Sequence, residues 1–163
     1  MLKPLKTQTM RAGNARIAIV ASEYNRSYVD AMVRAARTEL KRAGARSVQL
    51  IRVPGAYEIP VVAARLARLA TSGAERPARL SAIICLGVIL RGETTHAAHI
   101  GEAVSHALMD LQLRYEVPVI HEVLLLENEE QARTRCLERR HNRGAEAART
   151  ALAMARVMRG VLS

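Results

Sequence analysis

The chain of 163 residues contains no tryptophan and no phenylalanine, and its four tyrosines bring the aromatic share to only 2%. Proteins that bind RNA or single-stranded DNA usually stack bases on aromatic side chains. Here the tyrosines are scattered and are not interleaved with basic residues. Nucleic acid is therefore not the expected partner, although the net charge is +10. Solvated helix faces explain that charge, and a field that attracts phosphorylated substrates is the alternative.

Cysteine is also scarce. The two thiols, Cys85 and Cys136, cannot form a multi-disulfide scaffold or a four-cysteine zinc site. The longest apolar run, 80–90, has about half of the roughly 20 residues that a bilayer span needs, so it predicts a buried strand and no membrane contact. The N-terminal segment has no apolar core of the kind found in secretory signals. We therefore expect a cytoplasmic protein with reduced thiols.

Apolar strands alternate with helical patterns along the chain. Strands are expected at 16–22, 47–53, 80–90 and 118–126, and helices at 27–43, 60–71, 96–115, 128–139 and after 144. Such an order predicts a parallel sheet with helices on both faces. The expected fold class is α/β, a three-layer α/β/α sandwich with a flavodoxin-like parallel four-stranded sheet. It forms a single domain, 16–163, preceded by an N-terminal arm, 1–15.

The last predicted helix carries small and apolar residues at three- and four-residue spacing. They are Ala148, Ala151, Ala155, Met158 and Leu162. A seam of this kind lets another element approach closely. That element is either the core of the same chain or a neighbouring subunit, and the spacing alone does not decide between them.

Ligands of such folds bind beyond the carboxyl ends of the strands. The segment 91–96 (RGETTH) follows the third predicted strand and opens a helix. Its glycine allows close backbone approach, and the free N–H groups of the helix N-terminus suit a phosphate, although a plain capping turn is the other interpretation. It lacks the pattern of a Walker A loop. His96 has a side chain suited to general acid or base catalysis.

Two further groups have both a chemical and a structural interpretation. His99, Glu102 and His106 share a helix face and could bind a metal ion. However, no convergent set of carboxylates at a recognised metal-binding spacing accompanies them, so we expect no metal site there. Glu58 follows a Pro-Gly turn at the end of a strand. It could accept hydrogen bonds from a sugar-like chain, or it could be an acidic residue favoured at a helix N-terminus.

Five motifs share an order and spacing typical of one family. They are PGAYEIP (54–60), LGVILRGETTH (86–96), VPVI (117–120), EQARTRC (130–136) and NRGAEAA (142–148). On these motifs the chain resembles the 6,7-dimethyl-8-ribityllumazine synthases from about Ile17 to Met158. The resemblance implies a transferase of riboflavin biosynthesis that needs no metal or redox cofactor. Its substrates would be 5-amino-6-(D-ribitylamino)uracil and 3,4-dihydroxy-2-butanone 4-phosphate.

The resemblance also implies a role for individual residues. His96 would move protons, and Arg135, which spacing does not distinguish from other arginines, would bind phosphate through its guanidinium fork. Tyr24 would stack on the pyrimidine, and Glu58 would bind ribityl hydroxyls. The other implied substrate-binding residues are Ala56, Tyr57, Val88, Ile89, Leu90, Glu93, Thr94 and His121.

The chain departs from the family pattern at three places. Ala97 and Ala98 follow the histidine where relatives often carry an aromatic residue and an acid. His121 stands where an aromatic residue, commonly Phe, from the adjacent subunit packs against the ligand, and Arg143 stands where Lys is common. These differences keep a flavin- or lumazine-binding paralogue with weak catalysis as an alternative. A basic scaffold that binds nucleic acid is a second alternative.

Assembly is implied by the resemblance as well. Members of the family form homopentamers with sites between neighbours, and some pair as decamers or build icosahedral shells. The arm 1–15 would then pair with a neighbour's sheet. The expected partners are the two small-molecule substrates, further copies of the chain and riboflavin synthase.

Overall fold

Four parallel strands form one sheet in a computed structural model that describes residues 11–72 and 79–161. Their order is β2-β1-β3-β4, and they span Arg16–Ser22 (β1), Ser47–Val53 (β2), Ala82–Leu90 (β3) and Val119–Leu126 (β4). The first two strands have the predicted bounds, and the last two begin one or two residues later. In the centre of the sheet, Ile19 pairs with Leu50 on one side and Ile84 on the other.

Helices cover both faces of the sheet. They span Arg26–Arg42 (α1), Ile59–Thr71 (α2), His96–Tyr115 (α3), Glu129–Ala132 (α4) and Arg143–Val161 (α5). One apolar cluster joins α1 and α5 to Ile17 and Ile19, and the other joins α2 and α3 to Val20. Because successive side chains of a strand point to opposite faces, β1 contributes to both clusters. The predicted three-layer α/β/α sandwich is therefore confirmed.

The small-residue seam of α5 packs against the core of its own chain. Ala148, Ala151 and Ala155 are buried in the cluster with α1 or beside it. The approach is closest at Gly144, where an added Cβ would lie 2.0 Å from the carbonyl oxygen of Met32. These three alanines therefore serve the core, whereas Met158 is only half-buried and belongs to neither apolar cluster. Leu162 lies outside the described residues.

The helix predicted from Asn128 to about Arg139 is the main difference from the sequence-based expectation. The predicted cap is present, since Asn128 Oδ1 accepts from the backbone N–H of Gln131 at 3.0 Å. However, α4 ends at Ala132 and continues as a π-helical turn, Arg133–Leu137, after which Glu138 is extended. We call this segment the π turn.

The N-terminal arm is described only from residue 11, so the part at 1–10 lies outside the described residues. The backbone N–H of Ala12 donates to Ala43 at 2.7 Å, and the carbonyl of Ala15 accepts from Arg46 at 2.9 Å. The described end of the arm, from residue 11 to residue 15, therefore packs beside the turn after α1. Within the described ranges, no helix has the length and apolar character needed to cross a bilayer.

Candidate active site

A cavity of about 800 Å³ opens at the carboxyl ends of β1, β2 and β3. These strand ends and the first turns of α3 supply its walls. The lining residues are Tyr24, Asn25, Gly55, Ala56, Tyr57, Glu58, Val88, Ile89, Leu90, Gly92, Thr94, His96, Ala97, His99, Ile100 and Ala103. The cavity lies where a doubly wound fold binds its ligands.

Most residues that the sequence singled out meet in this cavity. Those brought together are Tyr24, Ala56, Tyr57, Glu58, Val88, Ile89, Leu90, Thr94 and His96. Glu93, His121 and Arg135 are not among the residues that line it. The sequence assigned no binding role to Asn25, Gly55 or His99, which also line it. The sequence pattern could have identified these three residues. Asn25 and Gly55 lie in turns that end strands, and His99 follows His96 by one helical turn.

The turn after β1 presents an aromatic ring at the cavity rim. Asn25 adopts the left-handed conformation, with φ 55° and ψ 40°, which asparagine tolerates better than most residues. Its Nδ2 donates to the backbone carbonyl of Val88 at 2.8 Å, so the end of β1 is tied to β3. Tyr24 is left 72% exposed. A flat ligand can stack on a ring held in this way.

The turn after β2 holds a carboxylate. Ala56–Glu58 form a 3₁₀ turn, and Glu58 Oε2 accepts from the backbone N–H of Gly55 at 2.8 Å. A Cβ at Gly55 would lie 2.8 Å from that oxygen and 3.1 Å from the Tyr24 ring, so a larger residue here would displace the Glu58 carboxylate or the Tyr24 ring. Among the described residues, no hydrogen-bond donor is recorded for Glu58 Oε1. That oxygen can therefore accept from a ligand hydroxyl.

The loop between β3 and α3 has the features of an anion site. The side chain of Arg91 turns towards Glu127, with Nη1 at 2.9 Å from both carboxylate oxygens. Within the described part of the chain, no acceptor is recorded for the backbone N–H groups of Glu93 and Thr94. His96 is exposed at the start of α3. Free N–H groups at the positive end of a helix favour a phosphate.

A second group of predicted residues lies along β4, at one edge of the sheet. His121 Nδ1 accepts from the backbone N–H of Val123 at 3.2 Å, so the ring proton resides on Nε2. Nε2 lies 2.8 Å from Ser105 Oγ, which donates to the carbonyl of Gly101 at 2.7 Å. Burial lowers the pKa of His121. The ring is therefore neutral at pH 7, and both of its nitrogens have partners.

The next residue of β4 points to the opposite face and anchors a charge network. Both oxygens of the buried Glu122 accept from Arg143, through Nε and Nη2 at 2.9 Å, and Arg143 Nη1 donates to Glu146 at 2.7 Å. Burial raises the pKa of Glu122 to about 7, although Arg143 and, more weakly, Arg135 oppose the rise. All three guanidinium nitrogens of Arg143 are thus occupied.

Arg135 lies on the π turn and is exposed. Of the carboxylates that the structure describes, none forms an ion pair within 4.0 Å of its guanidinium. Its positive charge nevertheless acts on the nearby Glu122. Arg135 is therefore exposed and without an ion pair in the described structure, whereas Arg143 is fully paired.

Neither the histidines nor the cysteines form a metal centre in the described ranges, where no three His, Cys, Asp or Glu side chains are grouped to hold an ion. His99 lines the cavity, but His106 does not. Cys85 and Cys136 are both free and buried. Burial raises the pKa of both thiols, that of Cys136 to about 11. Neutral thiols are poor nucleophiles, so neither cysteine is suited to covalent catalysis.

Comparison with known proteins points to one family. The family model described as 6,7-dimethyl-8-ribityllumazine synthase matches residues 14–159. A protein of that name from Xanthomonas oryzae pv. oryzae (strain PXO99A) is 38% identical over 151 residues, which cover 91% of this chain and 93% of the relative. Another of the same name, from Stenotrophomonas maltophilia (strain R551-3), is 40% identical over 147 residues and covers 89% and 90% of the two chains.

Proposed function

Because the chain belongs to the 6,7-dimethyl-8-ribityllumazine synthase family, we propose that the cavity at the strand ends is where it binds and converts its substrates. It catalyses the condensation of 5-amino-6-(D-ribitylamino)uracil with 3,4-dihydroxy-2-butanone 4-phosphate, a transferase reaction of riboflavin biosynthesis. The observation that carries the location is that most of the residues implied in binding line this single cavity.

The ribitylaminouracil lies between the turns after β1 and β2. Its pyrimidine ring stacks on the exposed ring of Tyr24, and the backbone from Val88 to Leu90 lies beside it. The ribityl hydroxyls donate to Glu58, whose Oε1 is free among the described residues while Gly55 holds Oε2. Ala56 and Tyr57 supply backbone groups. One end of the cavity therefore suits a flat ring and the other suits a polyol.

The butanone phosphate lies at the start of α3. The backbone N–H groups of Glu93 and Thr94 donate to its phosphate, with the Thr94 hydroxyl nearby. The amine of the other substrate attacks the ketone, and His96 protonates the hydroxyl that leaves as water, which gives the imine. His96 then removes a proton from carbon as phosphate leaves. Ring closure with loss of a second water gives the lumazine.

Three residues that the family resemblance implies are outside the lining of the cavity within one chain. Glu93 lies between the lining residues Gly92 and Thr94, whereas His121 and Arg135 lie on other elements. We propose that a second copy supplies the latter two, so that each site lies between neighbours in a homopentamer. The exposed apolar side chains of Met109, Leu113 and Leu125, on α3 and the β4 edge strand, support a contact surface there. The arm 1–15 would pair with a neighbouring sheet, and a decamer, an icosahedral shell or a complex with riboflavin synthase would build on that pentamer.

Mixed oligomers test the shared site. Arg135→Ala and His96→Ala subunits, each impaired alone, should together regain part of the activity when they are unfolded and reassembled as a mixture. Recovery is expected because some interfaces then combine an intact His96 with an intact Arg135. If the mixture regains no activity although native mass spectrometry shows mixed pentamers, the two residues belong to one subunit's site.

The absorbance assay for lumazine formation from the two synthetic substrates tests the function. Product should form faster than in the uncatalysed reaction. Tight flavin binding with negligible turnover by a folded protein would instead identify a binding paralogue, which no observation favours. A cytoplasmic location stays a prediction, supported by the two unpaired cysteines.

A further inference from the structure

Asn142 occupies the junction between the π turn and α5, and its side chain is buried. Its Nδ2 donates to the backbone carbonyl of Cys136, the residue after Arg135. Its Oδ1 accepts from the backbone N–H groups of Gly144 at 2.9 Å and Ala145 at 3.3 Å. One amide thus caps α5 with its oxygen and ties down the π turn with its nitrogen.

The α5 end of this junction is fixed from two directions. Gly144 packs so closely on α1 that a Cβ would meet the Met32 backbone. The side chain of Arg143 is held by Glu122 of β4 and Glu146 of α5. The start of α5 is therefore a rigid support, and whatever Asn142 binds is placed relative to the sheet.

Besides the bond from Asn142, the burial of Cys136 in the apolar cluster with α1 fixes the π turn at this end. Its last hydrogen bond runs from the backbone N–H of Glu138 to Arg133 at 3.2 Å, after which the chain is extended. The Arg135 guanidinium has no ion pair among the described carboxylates. Since none of the described side chains holds the guanidinium, the backbone of the π turn fixes the point from which the Arg135 side chain extends.

We infer that Asn142 is a positioning residue that aims Arg135 at the substrate phosphate, acting through the carbonyl of Cys136. The inference rests on the proposed phosphate-binding role of Arg135. A side-chain amide is needed because one atom must donate to a carbonyl while the other accepts from N–H groups. Aspartate keeps an accepting oxygen, but its carboxylate has no proton to donate, and the single, shorter hydroxyl of serine cannot take the place of both amide atoms.

The test separates these two functions. Asn142→Ser keeps a favoured helix cap and loses the bond to Cys136, whereas Asn142→Ala loses both. Because small misplacements of binding groups are costly, both variants should raise KM for butanone phosphate about 3- to 30-fold. KM for the ribitylaminouracil should stay near the wild-type value. Both variants leave the buried carbonyl of Cys136 without its donor and should lower Tm, and Asn142→Ala should lower it further because it also loses the cap. A wild-type KM in Asn142→Ser would overturn the inference and leave Asn142 as a cap alone.

Asn128→Ser is the matched control. Asn128 caps α4, at the other end of the same segment, through its oxygen alone in the described structure. The Asn128→Ser variant should therefore keep the wild-type KM for both substrates. An equal rise in KM in Asn128→Ser and Asn142→Ser would mean that general loosening of the segment, and not the bond to Cys136, controls Arg135. If Asn142→Ser does not fold, Asn142→Asp, which is nearly isosteric, takes its place with the same expected result.

Arg135→Ala distinguishes the failure of this inference from the failure of the proposed function. If Arg135→Ala leaves KM for butanone phosphate unchanged, the phosphate role of Arg135 is wrong. If it raises KM while Asn142→Ser does not, only the positioning role is wrong. The double variant should match Arg135→Ala alone, because no guanidinium remains to be aimed. Multiplying effects would indicate that the two residues act independently.

Discussion

The cavity and the β4 edge differ in how their polar groups are satisfied. In the cavity, Tyr24 and His96 are exposed, and the backbone N–H of Thr94 has no acceptor among the described residues. Along the β4 edge, both nitrogens of His121 are bonded, and Glu122 is buried under a bidentate arginine. Free groups make the first region ready to receive a ligand. Satisfied groups make the second a rigid support, and Arg135 lies nearby with no ion pair to any described carboxylate.

His96→Ala should have the largest effect, because it removes the proton-transfer group of the cavity. We expect turnover to fall by about 10²- to 10⁴-fold, the range typical of general acid–base catalysis. Light scattering should show unchanged assembly. His106→Ala alters a histidine of the same helix outside the cavity and should keep the wild-type rate. A wild-type rate in His96→Ala would remove this residue from the mechanism.

Arg143→Met should have the largest effect on the stability of the β4 edge. It leaves Glu122 buried without its partner, which costs about 3–5 kcal/mol in comparable buried pairs. Urea unfolding should show this loss. Arg91→Met breaks the exposed pair with Glu127 and should cost no more than about 1 kcal/mol. Equal losses in the two variants would contradict the distinction between a buried and an exposed pair.

The pH dependence of stability tests how strongly burial affects the Glu122 carboxyl. Burial raises the pKa of Glu122 from 4.5 to about 7, so the folded state binds more protons than the unfolded state in that range. Stability that Glu122 contributes below pH 4.5 is therefore lost as the pH rises towards 7. The difference in free energy of unfolding between wild type and Glu122→Gln should change with pH in this window. A pH-independent difference would mean that Arg143 keeps the carboxyl ionised throughout.

Gly55→Ala should disturb the cavity in a selective way. The new Cβ would push Glu58 and Tyr24 apart, so we expect KM for the ribitylaminouracil to rise about tenfold, or about 1.4 kcal/mol. KM for butanone phosphate should change little. Gly101→Ala is a control, since its Cβ would make only ordinary contacts with Leu125 at 3.6 Å. A rise in both KM values would show that the turn after β2 also shapes the phosphate end.

His121→Phe should have the smallest effect. Burial lowers the pKa of His121, so the unfolded chain takes up the proton first as the pH falls below about 6.5, and wild type then loses stability. The phenylalanine variant lacks this loss, which should be a fraction of about 1 kcal/mol because the ring is partly exposed. Above pH 7 the difference in stability between the two in thermal unfolding should no longer change with pH, because only the lost hydrogen bonds to Ser105 and Val123 then distinguish them. A difference that grows above pH 7 would mean that the ring is not neutral there.

Local pattern was enough to place most elements. The bounds of β1, β2 and α3 were predicted to the residue, because unbroken apolar strands and a helix stripe are properties of short segments. The π turn could not be predicted in this way. It depends on Asn142, which bonds to Cys136 from beyond the end of the segment, and on the burial of that cysteine.

The sequence by itself determined the order of strands and helices, and parallel topology then determined which loops form the cavity. Only the tertiary structure decided that Asn25 reaches Val88, 63 positions away, and that Glu122 pairs with Arg143, 21 positions away. It also decided that His121 and Arg135 lie outside the cavity lining. The physical reason is range: periodicity and capping act within a few residues, whereas buried pairs depend on how distant segments pack.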